Sequence, residues 1–244
     1  MSAHTIDIER RGHVAIVTLN RPGKKNAFDE TMWDTLDDVT SQLKKMTPRV
    51  IIVTGAGDSF SAGFDVNPEN PQVSRLVNAV QNGDRRPVEA LVNRIRTAVD
   101  NFVFLPVPVI AAVNGMAYGG GAELATRCDM RIVDPDAVFC FSETRLGLMP
   151  DWGGGVALSR LIGPSRAADL ILTARQVNAD EANSLGMVNR ISAPGKSVEE
   201  AIQMAEHIAG NGPSAIRHAL SVIRRAADLP LGNALQIETD EAIS

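Results

Sequence analysis

The sequence predicts a mixed α/β domain with a helical tail, and three observations carry that prediction. Short β-branched runs alternate with longer segments of helical period. Glycine or proline punctuates most of the junctions between them. From about residue 197 onward only helical patterns follow.

Taken in order, residues 4–9 and 13–19 read as short strands around Arg11-Gly12, a hairpin signal, and Asn20-Arg21-Pro22-Gly23 ends the second. Helical period over 29–46 puts Met32, Trp33, Leu36, Val39, Leu43 and Met46 on one face, with Asp29 as N-cap. Val50-Ile51-Ile52-Val53-Thr54 is a buried strand stopped by Gly55-Ala56-Gly57. Residues 67–70 form a loop, and 72–86 have no decisive period and read as a mobile stretch. Residues 87–102 are amphipathic, with Val88, Leu91, Val92, Ile95, Val99 and Phe102 on one stripe. A second buried strand covers 108–113 and ends at Asn114-Gly115, and Gly121 opens a helix that runs to Arg127. Strands are expected at 130–133 and 138–141, and helices at 152–162, 165–172 and 178–185, with a strand near 188–191. Helices at 198–209, 213–227 and from 231 onward complete the chain. The expected division is a core over 1–196 and a C-terminal helical region over 197–244.

At 244 residues the chain is long enough to bury a sizeable core, and 44% apolar with 22% charged residues is ordinary for a water-soluble protein. A net charge of −5 argues against nucleic acid or a polybasic membrane surface as partner. The two cysteines, Cys128 and Cys140, have neither CxxC spacing nor a disulfide framework, which fits a reduced, cytoplasmic compartment. Acids in the first ten residues do not suit a signal peptide, and the apolar run over 103–113 is broken by prolines and too short to span a bilayer.

Three segments carry chemistry. Ser59-Phe60-Ser61-Ala62-Gly63-Phe64-Asp65 follows a strand with small residues that let a ligand lie against the backbone, although a tight turn explains the same residues. Gly55-Ala56-Gly57-Asp58-Ser59-Phe60 lacks the third glycine of a dinucleotide fingerprint. Gly119-Gly120-Gly121-Ala122-Glu123 puts N–H donors at a helix start, which suits a developing oxyanion. Glu123 either complements the helix dipole or, among apolar neighbours, is buried with a raised pKa that suits proton transfer. In the third segment, Phe141 to Gly155, Glu143 reads alone as a surface acid paired with Arg145, and Asp151 after Pro150 as a helix N-cap.

Together these segments resemble the enoyl-CoA hydratase/isomerase (crotonase) family. Asn20-Arg21-Pro22 with Asn26-Ala27, Ser61-Ala62-Gly63-Phe64-Asp65, Asn114-Gly115 through Glu123, and Leu146-Gly147 through Gly154 match its motifs in order and spacing. The resemblance implies a spiral of strand–strand–helix turns and a C-terminal helical region used for trimer packing, with trimers pairing into hexamers. It implies an oxyanion hole from the N–H groups of Phe64 and Gly120, each such donor being worth about 3–4 kcal/mol of barrier. Glu123 and Glu143 fall on the hydratase acid pair, so the expected reaction is syn addition of water to a 2-trans-enoyl-CoA. Asp151 lies eight residues after Glu143, the spacing of dienoyl-CoA isomerases in the family, so double-bond isomerisation is the alternative. A CoA-thioester hydrolase or dehalogenase, suggested by Phe64 and Asp151 but opposed by Glu143, and a non-catalytic acyl-CoA binder rank lower. CoA recognition is expected around Ala62, Asp65 and Val66 with Gly119 beside them. Lys24 and Lys25 are candidates for the phosphates, or simply solvated loop lysines. Tyr118, Phe64, Met149 and Trp152 are candidates for lining the acyl pocket, with core packing the commoner role for such residues. No metal is expected, and no cofactor beyond the CoA that the substrate carries.

Overall fold

The computed structural model describes residues 5–244, so the start of the strand expected at 4–9 lies outside the described residues. The chain winds between two sheets. After the antiparallel pair β1 (Ile6–Arg11) and β2 (Val14–Leu19), strands are laid alternately in a larger and a smaller sheet: β3 (Val50–Gly55) then β4 (Ser59–Ser61), β5 (Val109–Val113) then β6 (Met116–Tyr118), β7 (Met130–Val133) then β8 (Val138–Cys140), with β9 (Val177–Asn178) in the smaller and β10 (Arg190–Ile191) in the larger. The larger sheet has the order β1-β2-β3-β5-β7-β10 and is parallel from β2 onward; the smaller has the order β4-β6-β8-β9. This is the spiral of strand–strand–helix turns that the resemblance implies. Its turns are closed by α1 (Glu30–Lys45), α2 (Pro71–Gln81), α3 (Arg86–Val103), α4 (Gly120–Arg127), α5 (Gly154–Ile162), α6 (Pro164–Thr173) and α7 (Ala179–Ser184).

The β-branched runs were legible as strands because the larger sheet is covered on both faces. Ile51 and Val53 point into the main core with Phe28, Trp33 and Phe102, whereas Val50 and Ile52 point the other way, toward Ala201 and Ala205 of α8 (Ser197–Gly210). Period two with both faces buried produces an unbroken apolar run. Beyond α8, α9 (Pro213–Ala226) and α10 (Leu231–Ala242) pair as a hairpin whose polar centre is Glu241, bonded to His218 at 2.7 Å and to Ser221. Arg224 ties α9 back to the core through Asp129 at 2.6 Å.

Several boundaries differ from expectation for physical reasons. Asp29 caps α1, accepting from the Met32 N–H at 2.9 Å, but Met46 lies just past the helix and is exposed. The 72–86 stretch contains α2, started by the Asn70 side chain, which accepts from the Gln72 N–H, with Pro71 at the first position. Strands β4, β6 and β9, two or three residues each, were not foreseen. No helix among the described residues is long and apolar enough to cross a membrane.

Candidate active site

The site is built where the ends of β4 and β6 meet. Asn26, fully buried, organises the first wall: its Nδ2 donates to the carbonyls of Ala56 (2.9 Å) and Ser59 (2.8 Å), and its Oδ1 accepts from the Arg21 N–H at 2.9 Å. The Ala62 N–H donates to the Lys25 carbonyl at 2.8 Å. Phe28 then forms a parallel bridge with Phe64: the Phe28 N–H donates to Gly63 O at 2.7 Å and the Asp65 N–H donates to Phe28 O at 2.9 Å. In such a bridge the groups on either side of Phe64 face Phe28, so the Phe64 N–H faces the opposite way and is not used by that bridge.

The second wall is the start of α4. Gly119 adopts φ 51°, ψ −128°, and Gly120 supplies one of the N–H groups that a helix start leaves without an internal partner. The two walls are in close contact, since a Cβ on Gly63 would fall 2.5 Å from the Gly120 nitrogen. Below Gly120 lies the Trp152 ring, 2.4 Å from where a Cβ would sit, packed edge-on against Trp33 (4.7 Å) and Phe28 (5.4 Å).

Two glutamates meet beside this backbone pair, in unequal surroundings. Glu123 is 0% exposed, and its carboxylate accepts from the Gly154 N–H at 2.8 Å and the Asp151 N–H at 3.2 Å. It therefore serves as the cap of α5 from another helix, in the position where an N-terminal dipole favours an anion. Glu143, in a 3-10 turn over Ser142–Leu146, is 9% exposed, and neither carboxyl oxygen has a hydrogen-bond partner among the described residues. One of those oxygens lies 3.5 Å from the point where Gly119 would carry a Cβ. Burial raises both carboxyls above the ordinary range. The neighbouring Glu143 adds to the rise at Glu123, and the Gly154 N–H opposes it. The pair thus holds a proton near neutrality. Two backbone N–H groups from the 151–154 turn favour the carboxylate at Glu123, whereas at Glu143 the only backbone opposing the rise is its own, so the two carboxyls share that proton in unequal surroundings.

Asp151 is also raised, chiefly by burial. It does not cap α5 as its sequence position suggests. The helix starts at Gly154 after Gly153 (φ 92°), and only the Asp151 backbone takes part in the capping of that end.

Of the remaining candidates, Val66 lies exposed at the rim and Lys24 is exposed in the 22–24 turn. Lys25 pairs with Asp58 at 2.8 Å, and Asp65 is held by Arg21 at 3.2 Å. Tyr118 accepts a hydrogen bond from Gln176. Trp152 is 2% exposed and supports Gly120 from beneath, while Met149 is exposed. No group of three or more His, Cys, Asp or Glu side chains among the described residues is placed to hold a metal ion. Sequence reasoning missed Arg127, whose guanidinium donates to the Trp152 carbonyl at 2.7 Å; a basic residue in a last helical turn gives no hint of it.

Such a site offers backbone N–H groups that could polarise a carbonyl oxygen, beside a carboxyl pair that can hold and move a proton. Comparisons with known proteins show the family. The family profile described as enoyl-CoA hydratase/isomerase matches residues 9–242. The short-chain-enoyl-CoA hydratase of Clostridium acetobutylicum is 35% identical, over 98% of this chain and 88% of its own. The crystal structure of an enoyl-CoA hydratase from Bacillus anthracis is similar with a TM-score of 0.87 at 36% identity, covering 98% of this chain and 89% of that one. A Thermobifida fusca structure in complex with acetoacetyl-CoA gives 0.84 at 28% identity, covering 98% and 94%.

Proposed function

The chain belongs to the enoyl-CoA hydratase/isomerase family, and on that premise we propose that it is an enoyl-CoA hydratase, adding water across the double bond of a 2-trans-enoyl-CoA to give the 3-hydroxyacyl-CoA. The unequal glutamate pair beside the Gly119–Gly120 backbone carries this reading. The thioester oxygen would accept from Phe64 and Gly120, each donor being worth about 3–4 kcal/mol as charge builds on that oxygen. As a water oxygen bonds to the β-carbon, its proton passes to the Glu123 carboxylate. The enolate then takes the Glu143 proton at the α-carbon. One proton has entered the pair and one has left it, so transfer from Glu123 back to Glu143 restores the starting state. Loss of the conjugated-enoyl absorbance of crotonyl-CoA, with a mass gain of one water, is the expected result; no turnover at substrate-scale enzyme sinks the reading.

A second reading rests on Asp151, a third carboxyl raised by burial and placed one peptide from the Glu123 cap. It is double-bond isomerisation of a 3-enoyl- or dienoyl-CoA, in which mass does not change. Asp151→Asn should abolish isomerisation and spare hydration; loss of both removes the distinction. CoA would bind along residues 61–66 with Lys24 near its phosphates. The exposed Ile223, Leu231 and Leu235 of the α9–α10 hairpin suit burial in a homotrimer or a hexamer, which light scattering would test. A cytoplasmic location completes the reading.

A further inference from the structure

We propose that Arg127 is a positioning residue for Glu123, acting through the turn that holds the Glu123 carboxylate; this rests on the hydratase reading. Glu123 depends on the N–H groups of Asp151 and Gly154. Between them lie Trp152 and Gly153, and Arg127 grips both. Its guanidinium donates to the Trp152 carbonyl at 2.7 Å, and a Cβ on Gly153 would fall 2.3 Å from its Nη1. The guanidinium is fixed in turn: it pairs with Asp100 of α3 at 2.5 Å and lies 5.3 Å over the Phe104 ring, with only 8% of the side chain exposed. Arg96 reaches the same Asp100 at 3.4 Å and the Asp151 carbonyl at 3.5 Å. An arginine that merely complemented the end of α4 would stay solvated. This one is desolvated and spends a donor on a carbonyl from another segment, as its rigid planar fork allows.

The acid that Arg127 would tune faces Glu143 from the 3-10 turn and Asp151 from the 150–154 turn. Of the elements packed on α4, β6 brings Tyr118, β4 brings no titratable group, and α5 brings Arg160, which pairs with Asp228. Arg127 therefore acts by geometry, keeping two N–H groups aimed at Glu123. Loosening the turn removes donors that favour the carboxylate, so Glu123 ionises at higher pH.

The test is Arg127→Met in the full-length protein, assayed with crotonyl-CoA across pH. The expected result is a fall in kcat of about 10- to 100-fold with KM unchanged, and an acidic limb of the kcat profile moved to higher pH. Arg127→Lys should recover part of both effects. A uniform loss of kcat with an unmoved limb means a merely structural role and overturns the proposal. Asp100→Asn, which slackens Arg127 without removing it, should move the limb in the same direction by less; if Arg127→Met does not fold, an unmoved limb in Asp100→Asn overturns the proposal. Wild-type protein without hydration fails the hydratase reading itself, whereas active wild type with unmoved limbs in the variants fails only the positioning role.

Discussion

The start of α4 and the 3-10 turn at 142–146 each present one glutamate to the same cleft, and the backbone treats them in opposite ways. At Glu123 the chain brings two N–H groups from a turn 28 and 31 residues away to meet the carboxylate. At Glu143 it brings none, and both oxygens are buried without a donor. The lesson is that a residue type does not fix an acid–base role; the count of donors aimed at each carboxyl does.

The largest expected effect erases the difference. Glu123→Gln and Glu143→Gln should each lower hydration kcat by about 10²–10⁴-fold. The double variant should be little worse than either single one, because the two act as a unit; multiplied losses in steady-state kinetics would mean that the pair works independently. A subtler break enters from the backbone side. A Cβ at Gly154 would lie 2.4 Å from Glu123 Cγ, so Gly154→Ala should destabilise the fold by about 1–3 kcal/mol through overpacking and should lower kcat without touching Glu143. A denaturant melt and a rate assay together check both halves.

The third prediction concerns pH. Glu143 is raised by burial, so the folded state binds its proton more tightly than the unfolded chain does. Its contribution to stability is complete below the ordinary carboxylate range and is lost as pH rises through the raised value. Glu143→Gln should therefore melt higher than wild type at pH 8 and close to it at pH 4, giving up activity for stability; a gain confined to acid pH contradicts the sign. The smallest effect is a control outside the site. Asn178→Ala removes the side-chain cap of α7, which accepts from the Glu181 N–H, and should cost about 1 kcal/mol with kcat unchanged.

Much of this was legible in the residues, and the rest was not for identifiable reasons. Strands such as Val50–Gly55 announced themselves because both of their faces are buried, and Glu123 because an acid among Ala122, Leu124 and Ala125 has no cheap place in a core. Ser59–Ser61 and Met116–Tyr118 are too short to show a period and exist only through their pairing with each other and with β8. Asp151 followed the usual statistics of a cap, but Glu123 holds that helix end from a distance, a non-local substitution that no window of sequence contains. Arg127 was hidden likewise, since its partner carbonyl lies 25 residues downstream.

The chain has two tryptophans, and both stand in the aromatic stack beneath Gly120. Tryptophan emission from the whole protein is therefore emission from one spot, a few ångströms under the backbone that would grip a thioester. Ligand occupancy can be followed by intrinsic fluorescence with no label attached, and a stopped-flow trace at that wavelength would separate the arrival of a ligand from its conversion.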